Sequence, residues 1–196
     1  MKDFGIGDDY EIESEAGELY KVFIIDKHGD KEYKTLLSDK GTGTIHLMEL
    51  LLKLATLYRK YKGSSLAPTI VIEEPEQNLH PKAQSLLTDM LTEMVDMSRH
   101  ANAYTNGFQF IVETHSEYMI RQSQVRVKGL MEACKDIEAT EEDANASFEQ
   151  EMPFKTYYFP SEGEPYEMIY RKDGNFSNEF GKGFFDEANN LLFEII

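Results

Sequence analysis

A short apolar run, Ile70-Val71-Ile72, stops against two adjacent carboxylates and a proline, Glu73-Glu74-Pro75. That junction constrains the fold more than any other part of the chain. A run so short and β-branched reads as a buried strand of a parallel sheet, and Pro75 ends it in a turn. Beyond it, Ala83, Leu86, Leu87, Met90, Leu91, Met94 and Val95 recur at helical spacing. Asn78 is placed to cap this helix and Pro81 suits its first turn. A second run, Phe108–Val112, then stops at Glu113-Thr114-His115-Ser116. Strand, helix, strand is a crossover unit, so the two strands are expected to be parallel neighbours. Each delivers a polar cluster to the same rim, where open α/β sheets place ligands.

Ionised carboxylates at the end of a buried strand need partners. In one use, one carboxylate holds Mg2+ or its waters while the other orients a water. The plain alternative is a strand end with two solvated glutamates. His115, directly after the second strand, suits contact with a phosphate or polarisation of a water. A different arrangement would gather Mg2+ or Mn2+ on Glu73, Glu74, Glu76 and His80, as a metal-dependent nuclease would. Pro75 and the strand geometry scatter those side chains.

The chain has 196 residues, 41% of them hydrophobic, enough for one domain with a real core. No apolar run reaches the ~20 residues of a membrane span and no signal peptide is evident, so no membrane partner is expected. Cys134 is the one cysteine, which rules out an internal disulfide, suits the cytoplasm and reads as a filler thiol. The formal charge of −16 repels phosphate backbones as a whole. Nucleic-acid binding would need a local basic patch or a basic partner. Arg121, Arg126 and Lys128 are the candidates, and they read better as a solvated helix face.

Before the acid strand, residues 10–37 read as an antiparallel β-meander: Tyr10–Ser14, Leu19–Asp26 and Glu32–Leu37. The turns fall at Glu15-Ala16-Gly17-Glu18 and His28-Gly29-Asp30. Residues 38–131 hold a glycine loop, Ser38 to Thr44, then a helix over Ile45–Tyr58, the acid strand and the second strand. The helix is apolar around most of its circumference, so it is expected to be buried. Gly41 and Gly43 at its start allow backbone N–H groups to approach an anion; equally, they suit a loop that merely caps the helix. Residues 132–153 are acidic and read as a solvated helix or mobile linker. Residues 154–196 read as a β-pair, Phe154–Phe159 with Glu167–Arg171, a turn at Lys172-Asp173-Gly174, and a last helix through Leu191, Leu192 and Phe193. Met90, Met94, Met97 and the C-terminal aromatics read as core.

In this order the motifs resemble the C-terminal half of an ABC-type ATPase core. Within that superfamily the chain is most similar to bacterial AAA ATPases of the DUF3696 kind, relatives of recombination and defence ATPases. The resemblance covers about residues 19–193 and implies an α/β fold. It would be a partial P-loop-NTPase-like parallel sheet with flanking helices, plus small antiparallel hairpins towards both ends. Ile70 to Pro75 matches the Walker B strand. By that match Glu73 supports Mg2+ and Glu74 is the catalytic carboxylate. Asn78-Leu79-His80-Pro81 falls at the D-loop, which puts His80 among the nucleotide-binding residues. Ile111 to Ser116 matches the switch strand, with His115 facing the γ-phosphate. Asp39-Lys40-Gly41-Thr42-Gly43 falls at the signature loop, so Gly41, Thr42 and Gly43 would meet ATP held by an opposite subunit. The usual serine of that loop is not evident; Ile45 and His46 stand near its place.

A P-loop requires Gly-x-x-x-x-Gly-Lys-Ser/Thr. The only Gly-Lys, Gly181-Lys182, is followed by Gly183, so the sequence has no Walker A motif. The resemblance therefore implies ATP and Mg2+ bound at a composite site. A missing N-terminal lobe or a P-loop-bearing partner chain would complete it, with self-association expected and DNA or an effector protein possible in the full assembly. The alternative is an ATPase-like interaction module without catalysis.

Overall fold

The computed structural model describes residues 1–15, 17, 19–61, 64, 66, 68–100, 107–138, 140–187, 190, 191 and 193. They form two compact units, Met1–Ser116 and Glu117–Ile196. The first unit opens with the expected meander: β1 (Asp9–Glu15), β2 (Leu19–His28) and β3 (Lys31–Leu36), antiparallel in the order β1-β2-β3. Ile24 and Ile25 of β2 are buried. His28 ends β2 rather than lying in the turn, and its ring meets Tyr33 edge-on. A 3-10 turn, Leu37–Asp39, leads to α1 (Thr42–Tyr61).

β4 (Thr69–Glu73), α2 (Pro81–His100) and β5 (Gln109–Glu113) form the crossover unit, and β4 and β5 are parallel neighbours. Their register sets Ile70 beside Phe110 and Ile72 beside Val112 on one face. That face is covered. Ile70, Ile72, Phe110 and Val112 pack on a core of Leu54, Leu91, Met94 and Phe108, joined by Leu50, Tyr58 and Tyr61 from α1. The α1 residues recur at three- and four-residue spacing, so one stripe of the helix meets the sheet. Burial of each such side chain contributes about 1.5–3 kcal/mol.

The opposite face departs from expectation. Val71 and Ile111, adjacent in register, remain 63% and 53% exposed. The strands are half-buried because, of their two faces, only the one toward α1 and α2 is covered. α1 is likewise only partly buried, fully so at Leu47, Met48 and Leu54. Met97, expected in the core, is 49% exposed near the C-terminal end of α2.

In the second unit α3 (Glu117–Ile137) and α4 (Glu141–Glu151) form a helical hairpin. The acidic stretch is thus not a linker. Thr140 caps α4 by accepting from the Asp143 N–H at 3.1 Å. Ala144 and Phe148 pack on Val127, Met131 and Cys134. Two of the basic candidates are engaged locally: Arg121 pairs with Glu117 and covers the Phe185 ring, and Lys128 pairs with Glu132. β6 (Thr156–Tyr158) and β7 (Tyr166–Met168) are antiparallel. Phe176, Phe180, Phe184 and Phe185 stack beside Tyr158 and Tyr170. Phe193, expected in the core, is exposed, as is Leu191, and Leu192 lies outside the described residues. Among the described residues no helix is long and apolar enough to cross a membrane.

Candidate functional site

The ladder between β4 and β5 runs one step past Glu73, because the Glu74 N–H donates to the Glu113 carbonyl at 2.9 Å. There the backbone turns left-handed: Glu74 has φ +45°. For a residue with a Cβ that conformation costs about 1–2 kcal/mol and marks a place where the surroundings impose it. The turn brings Glu74 Oε1 to 3.7 Å from His115 Nε2, while Oε2 accepts from Gln77 Nε2 at 3.1 Å. Both side chains are well exposed, so their pairing adds little stability; the placement is what matters. Glu73, last in β4, stands in register with Glu113.

The loop after β4 is tied to the loop after β5. Glu76 is only 8% exposed, and its Oε1 accepts from the His115 N–H at 2.7 Å. Its Oε2 has no partner among the described residues. Ser116 Oγ donates to Gln84 Oε1 at 2.5 Å, and Gln84 Nε2 donates to the Leu79 carbonyl at 2.9 Å. His80, not Asn78, occupies the cap of α2: its carbonyl accepts from Ala83 and Gln84, and its Nδ1 from the Lys82 N–H at 3.4 Å. Asn78 instead takes a left-handed conformation, φ +61°, which asparagine tolerates.

The glycine loop abuts this assembly. A Cβ on Gly43 would overlap the Asn78 carbonyl, so glycine there permits close approach of two backbones. Lys40 is held at 3.1 Å from Asp26, fixing the loop to β2. Beside Glu73 and Glu74 lies a shallow cleft of about 210 Å³, lined also by His46, Glu49 and Lys53 of α1 and by Gln77.

The structure therefore brings Glu73, Glu74 and His115 to one rim and sets Gly43 against the loop that links them. Gly41 and Thr42 lie at the start of α1, and His80 is engaged as a helix cap. Of the cleft residues, Glu49 and Lys53 escaped the sequence reading, and His46 was noted only for its place near the signature loop. Their signal was a polar stripe, His46, Glu49 and Lys53, at helical spacing on an otherwise apolar helix. Glu76 was read only as a candidate metal ligand; its burial gave no signal, since nothing in a sequence distinguishes a buried loop carboxylate from a solvated one. Its inward turn also removes it from any shared metal cluster. Among the described residues no three His, Cys, Asp or Glu side chains are grouped to hold a metal ion.

Two carboxylates and a histidine stand at the carboxyl rim of parallel strands, beside an open cleft, in an α/β protein; that rim is where open α/β sheets place ligands. The AAA ATPase domain family matches residues 4–120, a span that takes in the meander, α1 and the whole β4–α2–β5 unit. The chain belongs to that family. No curated protein and no solved structure matches the chain significantly.

Proposed function

We infer that this chain supplies the C-terminal half of an ABC-type ATP-hydrolysing domain, of the DUF3696 kind, to a composite site. The observation that carries the reading is the 3.7 Å approach of Glu74 to His115 at the ends of neighbouring parallel strands. In this reading Glu74 orients the attacking water, His115 faces the γ-phosphate and Glu73 supports Mg2+. Gly41, Thr42 and Gly43, with His80, meet the nucleotide. The donor set fits: Mg2+ takes oxygen ligands, and one or two carboxylates suffice when phosphate oxygens and waters fill the remaining positions. When bound, Mg2+ would offset charge on the phosphate oxygens. Lys53 is the only cation lining the described cleft, which is too little for a triphosphate. A P-loop-bearing lobe or partner chain would supply the rest.

Hydrolysis of Mg-ATP by this chain, alone and mixed with a P-loop-bearing chain, tests the reading. Turnover is expected to be weak alone, because positioning and phosphate stabilisation are incomplete. It should rise on mixing and fall at least ~100-fold in Glu74→Gln. A mixture whose turnover is indifferent to Glu74→Gln would overturn the assignment.

Exposed Val71 and Ile111, together with the lack of a Walker A sequence, favour a second reading as a non-catalytic interaction module. A stable assembly that forms equally with and without Mg-ATP, and hydrolyses none, would favour it over the first.

A further inference from the structure

Glu76 is the one buried carboxylate of the rim, and the hydrolytic roles leave it unused. We propose that Glu76 is a positioning residue that fixes the main chain of His115 and so sets the distance between His115 and Glu74. The proposal deepens the ATP-hydrolysis reading and rests on it for the catalytic consequence, not for the latch itself.

Several features converge. Glu76 lies two residues beyond the left-handed Glu74, in a turn closed by Gln77 N–H to the Glu74 carbonyl and Leu79 N–H to the Glu76 carbonyl, at 3.1 and 3.0 Å. The turn is therefore compact and carries Glu74 and Glu76 as one body. From it the Glu76 side chain points inward and takes the His115 N–H at 2.7 Å. A carboxylate acceptor makes a stronger bond than a neutral one. The imidazole of His115 is itself 76% exposed, so little side-chain packing holds that residue. One residue on, Ser116 is buried and bonded to Gln84. The loop after β5 is thus held at two successive residues, to the turn after β4 through Glu76 and to the first turn of α2 through Gln84. Movement of the turn after β4 then moves both partners of the Glu74–His115 pair together. The second oxygen of Glu76, buried and without a partner among the described residues, shows that desolvation was accepted to place this acceptor here.

The experiment is amide hydrogen exchange on the full chain by NMR, with His115 assigned through His115→Gln. In the native chain the His115 amide should exchange at least ~10-fold more slowly than an open loop amide. Glu76→Ala should remove that protection while Leu87, in the core of α2, keeps its own. Glu76→Gln retains the acceptor oxygen and should retain most of the protection. An unprotected His115 amide in the native chain overturns the proposal, and this holds even where Glu76→Ala fails to fold. Equal protection in native and Glu76→Ala chains overturns it too.

The catalytic consequence is read in the mixture with a P-loop chain. Glu76→Ala should lower kcat for Mg-ATP about 10-fold or more with KM little changed. Added to His115→Ala it should lower kcat no further, and Glu76→Gln should restore most of the loss. Full additivity with His115→Ala overturns the positioning role. If His115→Ala leaves turnover unaltered while exchange reports the latch, the hydrolysis reading fails and the latch stands.

Discussion

Glu74 and His115 approach to 3.7 Å although each belongs to a different strand-end loop, and Glu74 reaches that place from a left-handed backbone. The strain predicts opposite responses of stability and activity at one position. Glu74→Gly removes the Cβ that disfavours φ +45°, a gain that the added unfolded-state freedom offsets in part, so thermal stability should stay level or rise by up to ~1 kcal/mol. Most substitutions lower it by ~1 kcal/mol. The same variant should lose ATP turnover in the completed assembly. Thermal melts and hydrolysis assays on one preparation check both halves.

Gly43 faces the opposite demand. A methyl group there meets the Asn78 carbonyl, which belongs to a turn tied to the loop after β5. Gly43→Ala should destabilise the chain by about 1–3 kcal/mol, as forced overpacking does. Gly41→Ala, at a position where a Cβ meets nothing within 4 Å, should cost much less. Denaturant midpoints of the two variants settle the comparison.

Val71 and Ile111 lie side by side on the open face of a two-stranded parallel sheet. Parallel sheets are normally covered on both faces, so this surface is expected to mediate self-association or docking of a further lobe. Val71→Ser with Ile111→Ser should shift the chain toward smaller species in sedimentation at fixed concentration, with the α1 and α2 side undisturbed. An unchanged distribution would assign association to another surface.

Tyr170 gives a pH dependence whose sign follows from burial. Its hydroxyl contacts Ser123 at 2.6 Å and Thr156 at 2.9 Å. Burial raises its pKa above 10.0, and those two bonds offset only part of the rise. A folded-state pKa above the unfolded one leaves stability intact below about pH 10 and removes it as pH climbs through the folded value. Lys34, raised chiefly by its bond to Glu13, and Lys155, raised chiefly by Tyr157, act in the same window. Chemical denaturation between pH 8 and 11 should show the decline, shallower in Tyr170→Phe.

The crossover unit was legible because each element carried its own period: a β-branched run, a helical apolar stripe, then a second run with a polar end. The rim followed from topology, since parallel neighbours must end on the same side. What the sequence could not carry was the face of each element that lacks a neighbour. Val71 and Ile70 are equally apolar, yet only Ile70 meets a helix. The charge of 132–153 left helix and linker both open; what decides for a helix over 141–151 is Thr140 and Asp143 at the cap, and Ala144 and Phe148 one turn apart. His80 was assigned to the nucleotide by resemblance, and the local hydrogen bond it makes as a helix cap became visible only with the backbone.

Glu73 and Glu113 end their strands in the same register row, in a chain that carries sixteen excess negative charges. Like charges directly opposite work against a sheet, so their repulsion opposes the ladder at the rim when only water bathes it. Simple electrolyte should tighten it, since ions screen such repulsion within about 10 Å at 0.1 M salt. The ionic medium thus acts as a tuning knob on how firmly the two strand tips hold together.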